Sequence, residues 1–248
     1  MTTTDSKINQ LFNNLDAWRH LPAYQLERRA DIFFSLYLAE VLQKKFHLPE
    51  APILIPEFPV RYGSVREALG RTDLFGEAGK NQSFKIDYLA VTKDGGRVFF
   101  IELKTDMASR SDKQDGNMER AVEMASHLLF SGIEKMHEKS NEKQKYLALY
   151  SYLHEQLHTN ERQLTKITDG KTKGIIFKDD FEQFFTDLNK IPPTIVYLQP
   201  NVDDKKAGME YIDFSYFADV VENHPDYLSL RFAKSLREWA KVGAGSKQ

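Results

Sequence analysis

Apolar residues recur along the chain at spacings that predict helices separated by strands. Between residues 23 and 46 they return every three or four positions, which predicts an amphipathic helix. A second helix is predicted over about 112–138 from apolar residues at the same spacing, namely Met118, Ala121, Val122, Ala125, Leu129, Ile133 and Met136. Helical patterns return at about 214–222 and 226–241.

Strand patterns occupy the segments between these helices. Residues 53–62 (ILIPEFPVRY) contain two prolines, which predict an extended segment at the edge of a sheet, because proline cannot donate to a central ladder. Residues 98–103 are apolar on both faces as far as Ile101, which is typical of a central strand covered on both sides. A further short strand is predicted at 194–200, and residues 63–82, rich in glycine and charge, predict a loop.

Charged residues interrupt the predicted central hairpin where strands are usually apolar. Glu102 and Lys104 are two positions apart and therefore point to the same face. Asp87 lies on the preceding strand. A two-residue Asp-Gly turn would place Asp87 opposite Glu102, and a Gly-Gly turn would place it opposite Lys104. In both registers the three charged side chains share one face.

This arrangement of charges favours a divalent metal site. Two carboxylates facing each other across a ladder repel by about a few tenths of a kcal/mol, and burial increases that cost. Mg²⁺ or Mn²⁺ removes the conflict, because these cations prefer carboxylate oxygens and water. Lys104 could then orient a water or neutralise charge on a phosphate. The alternative is a structural ion pair between Glu102 and Lys104 at the strand end, with Asp87 at the surface.

The residues of this hairpin resemble the core motif of the PD-(D/E)XK nuclease superfamily. Asp87 and the run Glu102-Leu103-Lys104 supply the motif, with Ile86 where the family name has proline. Members of the superfamily cut DNA or RNA with Mg²⁺. The resemblance implies that Asp87 and Glu102 are metal ligands and that Lys104 is a catalytic lysine.

The resemblance also implies a fold. The superfamily has a restriction-endonuclease-like αβββαβ core, an α/β architecture with a central mixed sheet flanked by helices. The predicted elements follow this order, so a single nuclease-like domain is predicted over 1–248, with its core at about 23–138 and 191–222. The polar stretch 139–190 is predicted to be a helical insertion before the last core strand.

Three further residues are candidates for completing the site. Glu27 begins the first predicted helix, where many members of the superfamily carry an acid, but the helix dipole alone also favours glutamate there. Glu57 alternates with the apolar residues of its strand and could reach the face of Asp87. Gln114 follows the E-x-K run at the interval where several subfamilies place a glutamine that contacts the site. Ser111-Asp112-Lys113-Gln114 is also a capping box, which explains Gln114 without any function.

A second motif indicates a different chemistry. His154-Glu155-Gln156-Leu157-His158 matches H-E-x-x-H, in which two histidines on one helical face bind Zn²⁺ and the glutamate activates water. The histidines fall on the rim of the apolar face of their helix, and the sequence offers no evident third ligand. A zinc metallopeptidase is therefore the less favoured hypothesis.

Composition adds little to the nuclease hypothesis and excludes some classes. The chain has 248 residues, a formal net charge of −2 and no cysteine, which excludes disulfides and thiolate metal sites and fits a cytoplasmic protein. The net charge does not indicate binding to nucleic acid, so binding would need a local basic surface. Lys205-Lys206 could add a phosphate contact there.

The sequence thus predicts a Mg²⁺- or Mn²⁺-dependent nuclease acting on nucleic acid, DNA more than RNA, with no membrane partner. The alternative is a nuclease-like fold used as a non-catalytic module that binds nucleic acid or protein. The oligomeric state, including a homodimer, is left open.

Overall fold

A computed structural model describes most of the chain, and its elements alternate between helix and strand. The described residues are 2–21, 24–71, 73, 82–106, 110–124, 126–141, 143–157, 165–169, 172–176, 192–203 and 205–242. The chain divides into two compact units. The first unit comprises Met1–Leu54, Ile101–Gln114 and Ile195–Gln248, and the second comprises Ile55–Phe100 and Asp115–Thr194.

Five strands form an open mixed sheet, which confirms the predicted α/β class. The strand order is β1-β2-β3-β6-β7. The strands are β1 (Ile53–Arg61), β2 (Ser83–Val91), β3 (Val98–Leu103), β6 (Thr194–Gln199) and β7 (Met209–Asp213). As predicted, β3 is interior and buried on both faces, and the proline-containing β1 lies at an edge.

The β6 and β7 strands pair in parallel within the first unit. Their register runs from Ile195 opposite Met209 to Gln199 opposite Asp213. The sequence predicts β6 from its apolar run, whereas β7 is not predicted. The five residues of β7 include two acids, so its hydrophobic signal is weak, and pairing with β6 supplies the strand.

The hairpin between β2 and β3 differs from the predicted two-residue turn. Thr92 donates its N–H to Arg97 O at 3.0 Å, so four residues lie between the closing pair. Gly96 donates its N–H to the Asp94 carboxylate at 2.9 Å, and Gly95 has a positive φ of 67°. The Asx-type bond and the left-handed glycine stabilise this wider loop. The Thr92–Arg97 pairing gives the same register as the predicted two-residue Asp-Gly turn would give.

Three predicted helices of the first unit are confirmed at its aromatic core, and one helix was not predicted. The helices are α1 (Thr3–Trp18), α2 (Leu26–Lys45), α7 (Phe214–Val221) and α8 (Tyr227–Val242). Phe34 of α2 lies 5.2–5.3 Å, centroid to centroid, from the rings of Phe214, Phe217 and Phe232. The unpredicted α1 begins with a capping box between Thr2 and Asp5.

The helices beyond β1 correct two sequence predictions. The predicted loop 63–82 begins with a short helix, α3 (Tyr62–Ala68). The predicted helix at 112–138 is two helices, α4 (Asp112–Val122) and α5 (Ser126–Lys139). Met124 donates its N–H to Ala121 O at 3.1 Å, three residues back rather than four, and this tighter turn ends α4.

The predicted helical insertion at 139–190 is only partly helical where it is described. It contains α6 (Lys143–Leu157) and two strands, β4 (Thr165–Asp169) and β5 (Thr172–Ile176). The two strands pair antiparallel, with Asp169 opposite Thr172 as the closing pair. The sequence signal was the alternation of β-branched residues around Asp-Gly, which favours a hairpin over a helix. Among the described residues, no helix is long and apolar enough to cross a membrane.

Candidate active site

The Glu102 carboxylate is the buried centre of the candidate site. It lies near the end of β3, and its side chain is 1% exposed. Its Oε1 accepts hydrogen bonds from Lys104 Nζ and from Gln114 Nε2. A carboxylate taken out of water needs such charged or polar donors, because an uncompensated buried charge is strongly unfavourable.

Lys104 is fixed by its backbone as well as by its side chain. Its N–H donates to Leu198 O of β6 at 2.8 Å, which continues the sheet pairing one residue beyond β3. Its ammonium, 7% exposed, binds Glu102 and lies 3.7 Å from Glu27 Oε2. The Glu102 and Glu27 carboxylates therefore both lie beside this ammonium.

Glu27 and Gln114 reach this cluster from two helices. Glu27 lies in the first turn of α2, with its side chain 31% exposed, so it borders solvent while Glu102 does not. Gln114 lies in the first turn of α4, and its backbone N–H donates to Ser111 O at 2.9 Å. The Gln114 side-chain amide donates to Glu102 Oε1, which connects the first turn of α4 to the end of β3.

The first unit thus brings together four of the six predicted site residues: Glu27, Glu102, Lys104 and Gln114. The other two belong to the second unit. Asp87 is half-buried on β2. Glu57 on β1 has a positive φ of 51°, and its exposed carboxylate binds Lys85.

Two basic side chains lie near the start of α4: Arg110, which precedes the helix along the chain, and Lys206, which binds Asp112. The Arg110 guanidinium stacks 4.3 Å from the Tyr197 ring centroid and donates to the Tyr211 hydroxyl at 3.2 Å. Lys206 Nζ binds the fully exposed Asp112 carboxylate at 3.2 Å. Sequence reasoning assigned no role to Arg110, since its aromatic partners are about a hundred residues away along the chain.

Glu102 and Glu27 supply carboxylate oxygens beside Lys104, and such oxygens are the ligand type that Mg²⁺ and Mn²⁺ prefer. Among the described residues, no group of three or more histidine, cysteine or acidic side chains could hold a metal ion. Mg²⁺ usually takes one or two carboxylates and keeps several waters, so Glu102 and Glu27 fit its needs. In the zinc motif, the side chains of His154 and Glu155, and the whole of His158, lie outside the described residues.

Comparisons with known proteins found no match to this chain. No family model matches the chain, and neither a curated protein nor a solved structure matches it.

Proposed function

We propose that this protein is a divalent-metal-dependent nuclease that hydrolyses phosphodiester bonds of nucleic acid. The observation that carries the proposal is the convergence of Glu102, Lys104, Gln114 and Glu27 in the first unit. A buried carboxylate beside a buried ammonium at the end of a central strand, bordered by a second acid open to solvent, suits chemistry on a phosphate. With α3 and the elements from α5 to β5 set aside, the remaining order α2-β1-β2-β3-α4-β6 also supports the proposal, since it is the order that the resemblance implies.

Each residue of the cluster has a distinct role in this proposal. Glu102 and Glu27 would hold Mg²⁺ or Mn²⁺, which supplies charge neutralisation and a more acidic bound water. Lys104 would orient the attacking water and stabilise negative charge on the phosphate. Gln114 would fix the rotamer of Glu102 through its amide.

Asp87 enters the proposal through the sequence pattern. Asp87 and the run Glu102-Leu103-Lys104 together carry the resemblance to the nuclease motif, and on that resemblance alone we take Asp87 as a further ligand. Glu57 is left out, because its exposed carboxylate is bound to Lys85.

A non-catalytic binding module is the second candidate, and one observation favours it. The Glu102 carboxylate already binds a buried ammonium and an amide. Such a pair can have a purely structural role, in which it holds the end of β3 against α2 and the first turn of α4. The two candidates differ in whether Glu102 and Lys104 affect turnover or only stability.

A nuclease assay on single- and double-stranded DNA and on RNA, in Mg²⁺ and in Mn²⁺, tests the proposal. We expect Glu102→Gln and Lys104→Ala each to lower the cleavage rate by about a hundred-fold or more, the usual loss when a group that stabilises transition-state charge is removed. Glu27→Gln should give a smaller loss. Glu40→Gln on the same helix is the matched control, because Glu40 is equally exposed and binds Lys44 and His224 instead.

Thermal unfolding with and without Mn²⁺ separates the two candidates. A metal that binds the folded state raises Tm by an amount that grows with the ratio of the free metal concentration to its Kd, and Glu102→Gln should remove that shift. A parent protein that binds nucleic acid, cuts none and shows no Mn²⁺ shift would support the binding module and refute the nuclease.

A further inference from the structure

A pocket of about 330 Å³ lies on the outer face of α1. It is lined by residues at successive turns of that helix and by one residue beyond it, namely Lys7, Gln10, Leu11, Asn14, Leu15, Trp18 and Tyr24. Its volume is at the small end of the range of about 300–1,000 Å³ for ligand pockets. The pocket suits a compact planar group.

Two aromatic side chains form one wall of this pocket. Trp18 is 46% exposed, although it is among the largest apolar side chains. The ring of Tyr24 meets it edge to face, with centroids 6.1 Å apart and planes at 70°. This contact holds the indole in place and leaves part of its surface open. A fixed, open aromatic surface is what a nucleobase stacks on, whatever the base.

The charge of the pocket favours a polyanionic ligand. Lys7 is the one charged residue among those that line it. The nearby acid of α1, Asp16, is bound on another face of the helix by Arg231 at 2.7 Å and by the Trp239 indole N–H at 2.8 Å. The amides of Gln10 and Asn14 add donors and acceptors that a base edge can use.

The pocket belongs to the same unit as the candidate active site. Two sets of residues connect them, one through Tyr24 and Glu27 and the other through Arg19 and Asp106. Tyr24 is three residues before Glu27, and so within about 11 Å of it, measured between Cα atoms; Glu27 lies 3.7 Å from Lys104 Nζ. Arg19, next to Trp18, belongs to the second set. Burial lowers the pKa of Arg19, and the carboxylates of Asp16 and Asp106 oppose that shift. Asp106 is two residues beyond Lys104.

We infer that the Trp18–Tyr24 pocket holds one unpaired nucleobase of the strand that is bound at Glu102 and Lys104. The inference rests on the proposed nuclease function and adds its substrate class, since a base can enter the pocket only from a single strand or from an opened duplex. Lys7 contacts a phosphate of the same strand. The pocket thereby makes single-stranded nucleic acid the preferred substrate.

Binding of two fluorescent oligonucleotides, measured by anisotropy in EDTA so that no strand is cut, tests this inference. One is oligothymidine, and the other is an abasic strand of the same length, which keeps every phosphate and lacks every base. We expect the parent to bind oligothymidine about ten-fold to a hundred-fold more tightly, the usual effect of stacking one base on an aromatic ring.

The variants show whether that preference comes from the pocket. Trp18→Ala should abolish the preference by weakening oligothymidine binding alone, whereas Trp18→Phe should retain much of it. Lys7→Ala should weaken both strands equally. Ile32→Ala is the matched control, because Ile32 is a large apolar side chain on α2 that is 61% exposed and does not line the pocket.

Two results would overturn the inference: equal binding of both strands by the parent, or a preference that persists in Trp18→Ala. Either would assign the pocket to another occupant, such as an apolar peptide. Cleavage measured in parallel keeps this test separate from that of the nuclease proposal. If the parent cleaves nucleic acid and Trp18→Ala keeps the base preference, only the pocket inference is refuted. If the base preference is present and no cleavage is found, only the proposed catalysis is refuted.

Discussion

At the scale of single residues, the partner of Glu102 decides how removal of the Glu102 charge changes the stability of the protein. When a glutamate lies opposite a second carboxylate, removal of its charge stabilises the folded protein. When it lies next to a buried ammonium, removal of its charge destabilises the protein, because the positive charge of the ammonium is then less well compensated. The structure places Glu102 against Lys104, and the other acid at that ammonium, Glu27, is farther away and more exposed.

We therefore expect Glu102→Gln to lower the free energy of unfolding in metal-free buffer. The loss should approach the roughly 3–5 kcal/mol that breaking a buried ion pair costs, reduced by the hydrogen bond that the amide oxygen still accepts. Glu40→Gln should cost about 1 kcal/mol or less, as is typical of solvent-exposed pairs. Urea unfolding of both variants in EDTA measures the difference. Equal stability of Glu102→Gln and the parent would contradict the buried-pair description.

The candidate site could be predicted from the sequence as far as local spacing determines geometry. Glu102 and Lys104 share a face because strand periodicity requires it, and this prediction needed no tertiary information. The hydrogen bond from Gln114 to Glu102 could be anticipated only through the family resemblance, since the capping box explained the same residue equally well. The stacking of Arg110 on Tyr197 has no local signal, because the guanidinium and the ring of that contact come from distant segments.

At the scale of elements, two glycines in neighbouring helices differ in what surrounds them. A Cβ built on Gly132 of α5 would lie 2.8 Å from the Ser64 hydroxyl of α3 and 3.4 Å from Arg61 Cβ. Ser64 is buried, so it cannot move aside into solvent. A Cβ on Gly116 of α4 would meet only the flexible guanidinium of Arg120, at 3.6 Å.

We expect Gly132→Ala to destabilise the protein by about 1–3 kcal/mol, because it overpacks a close helix contact. Gly116→Ala should stabilise it by about 0.4–1 kcal/mol through higher helix propensity and a less flexible unfolded chain. Thermal and urea unfolding of the pair measure the contrast. Stabilisation by both substitutions would show that α3 and α5 are not in close contact.

The start of α8 gives a prediction about pH. Asp226 Oδ1 accepts from the Ser229 N–H at 3.0 Å, and its other oxygen accepts from the Ser229 hydroxyl. These bonds, that of the hydroxyl first, hold the pKa of Asp226 below its usual value. A carboxylate with a lowered pKa in the folded state stabilises the protein above its unfolded pKa, about 3.9. That stability is lost as the pH falls through the folded pKa.

Asp226→Asn is the variant that isolates this effect, since asparagine keeps the N-cap acceptor but not the charge. At neutral pH we expect the parent to be more stable than Asp226→Asn by about 0.3–1 kcal/mol, the usual interaction of a charge with a helix end. The difference should shrink as the pH falls below about 4. Unfolding free energies of both proteins between neutral and acid pH check this, and a difference that does not change with pH would contradict it.

At the scale of the whole molecule, the sequence predicted long elements better than short ones. The helix α2, the interior strand β3 and the edge strand β1 carry periodic or apolar patterns over many residues, and the structure confirms them. The strand β7 and the helix α3 are too short for a period to emerge. They form because backbone groups find partners in the folded chain, which local patterns do not encode.

The net charge of −2 gives a prediction about the molecule as a whole, because such a chain does not attract nucleic acid over its entire surface. Under the proposed function, phosphate contacts come from a few lysines and arginines near the site, and each contact contributes to the salt dependence of binding. For single strands the slope of log K against log salt changes by about 0.7 for each phosphate contact. Lys206, at the start of α4, and Lys44, on α2, form a matched pair for this test. Their side chains are 42% and 44% exposed, and they bind the carboxylates of Asp112 and Glu40.

We expect Lys206→Ala to reduce the salt slope for oligothymidine binding by about 0.7, because the ammonium exchanges Asp112 for a phosphate when the strand binds. Lys44→Ala should leave the slope unchanged, since Lys44 lies at the other end of α2 from Glu27. Anisotropy titrations over a series of salt concentrations give both slopes. Equal slopes for the two variants would show that Lys206 does not contact a phosphate and that the strand does not pass the start of α4.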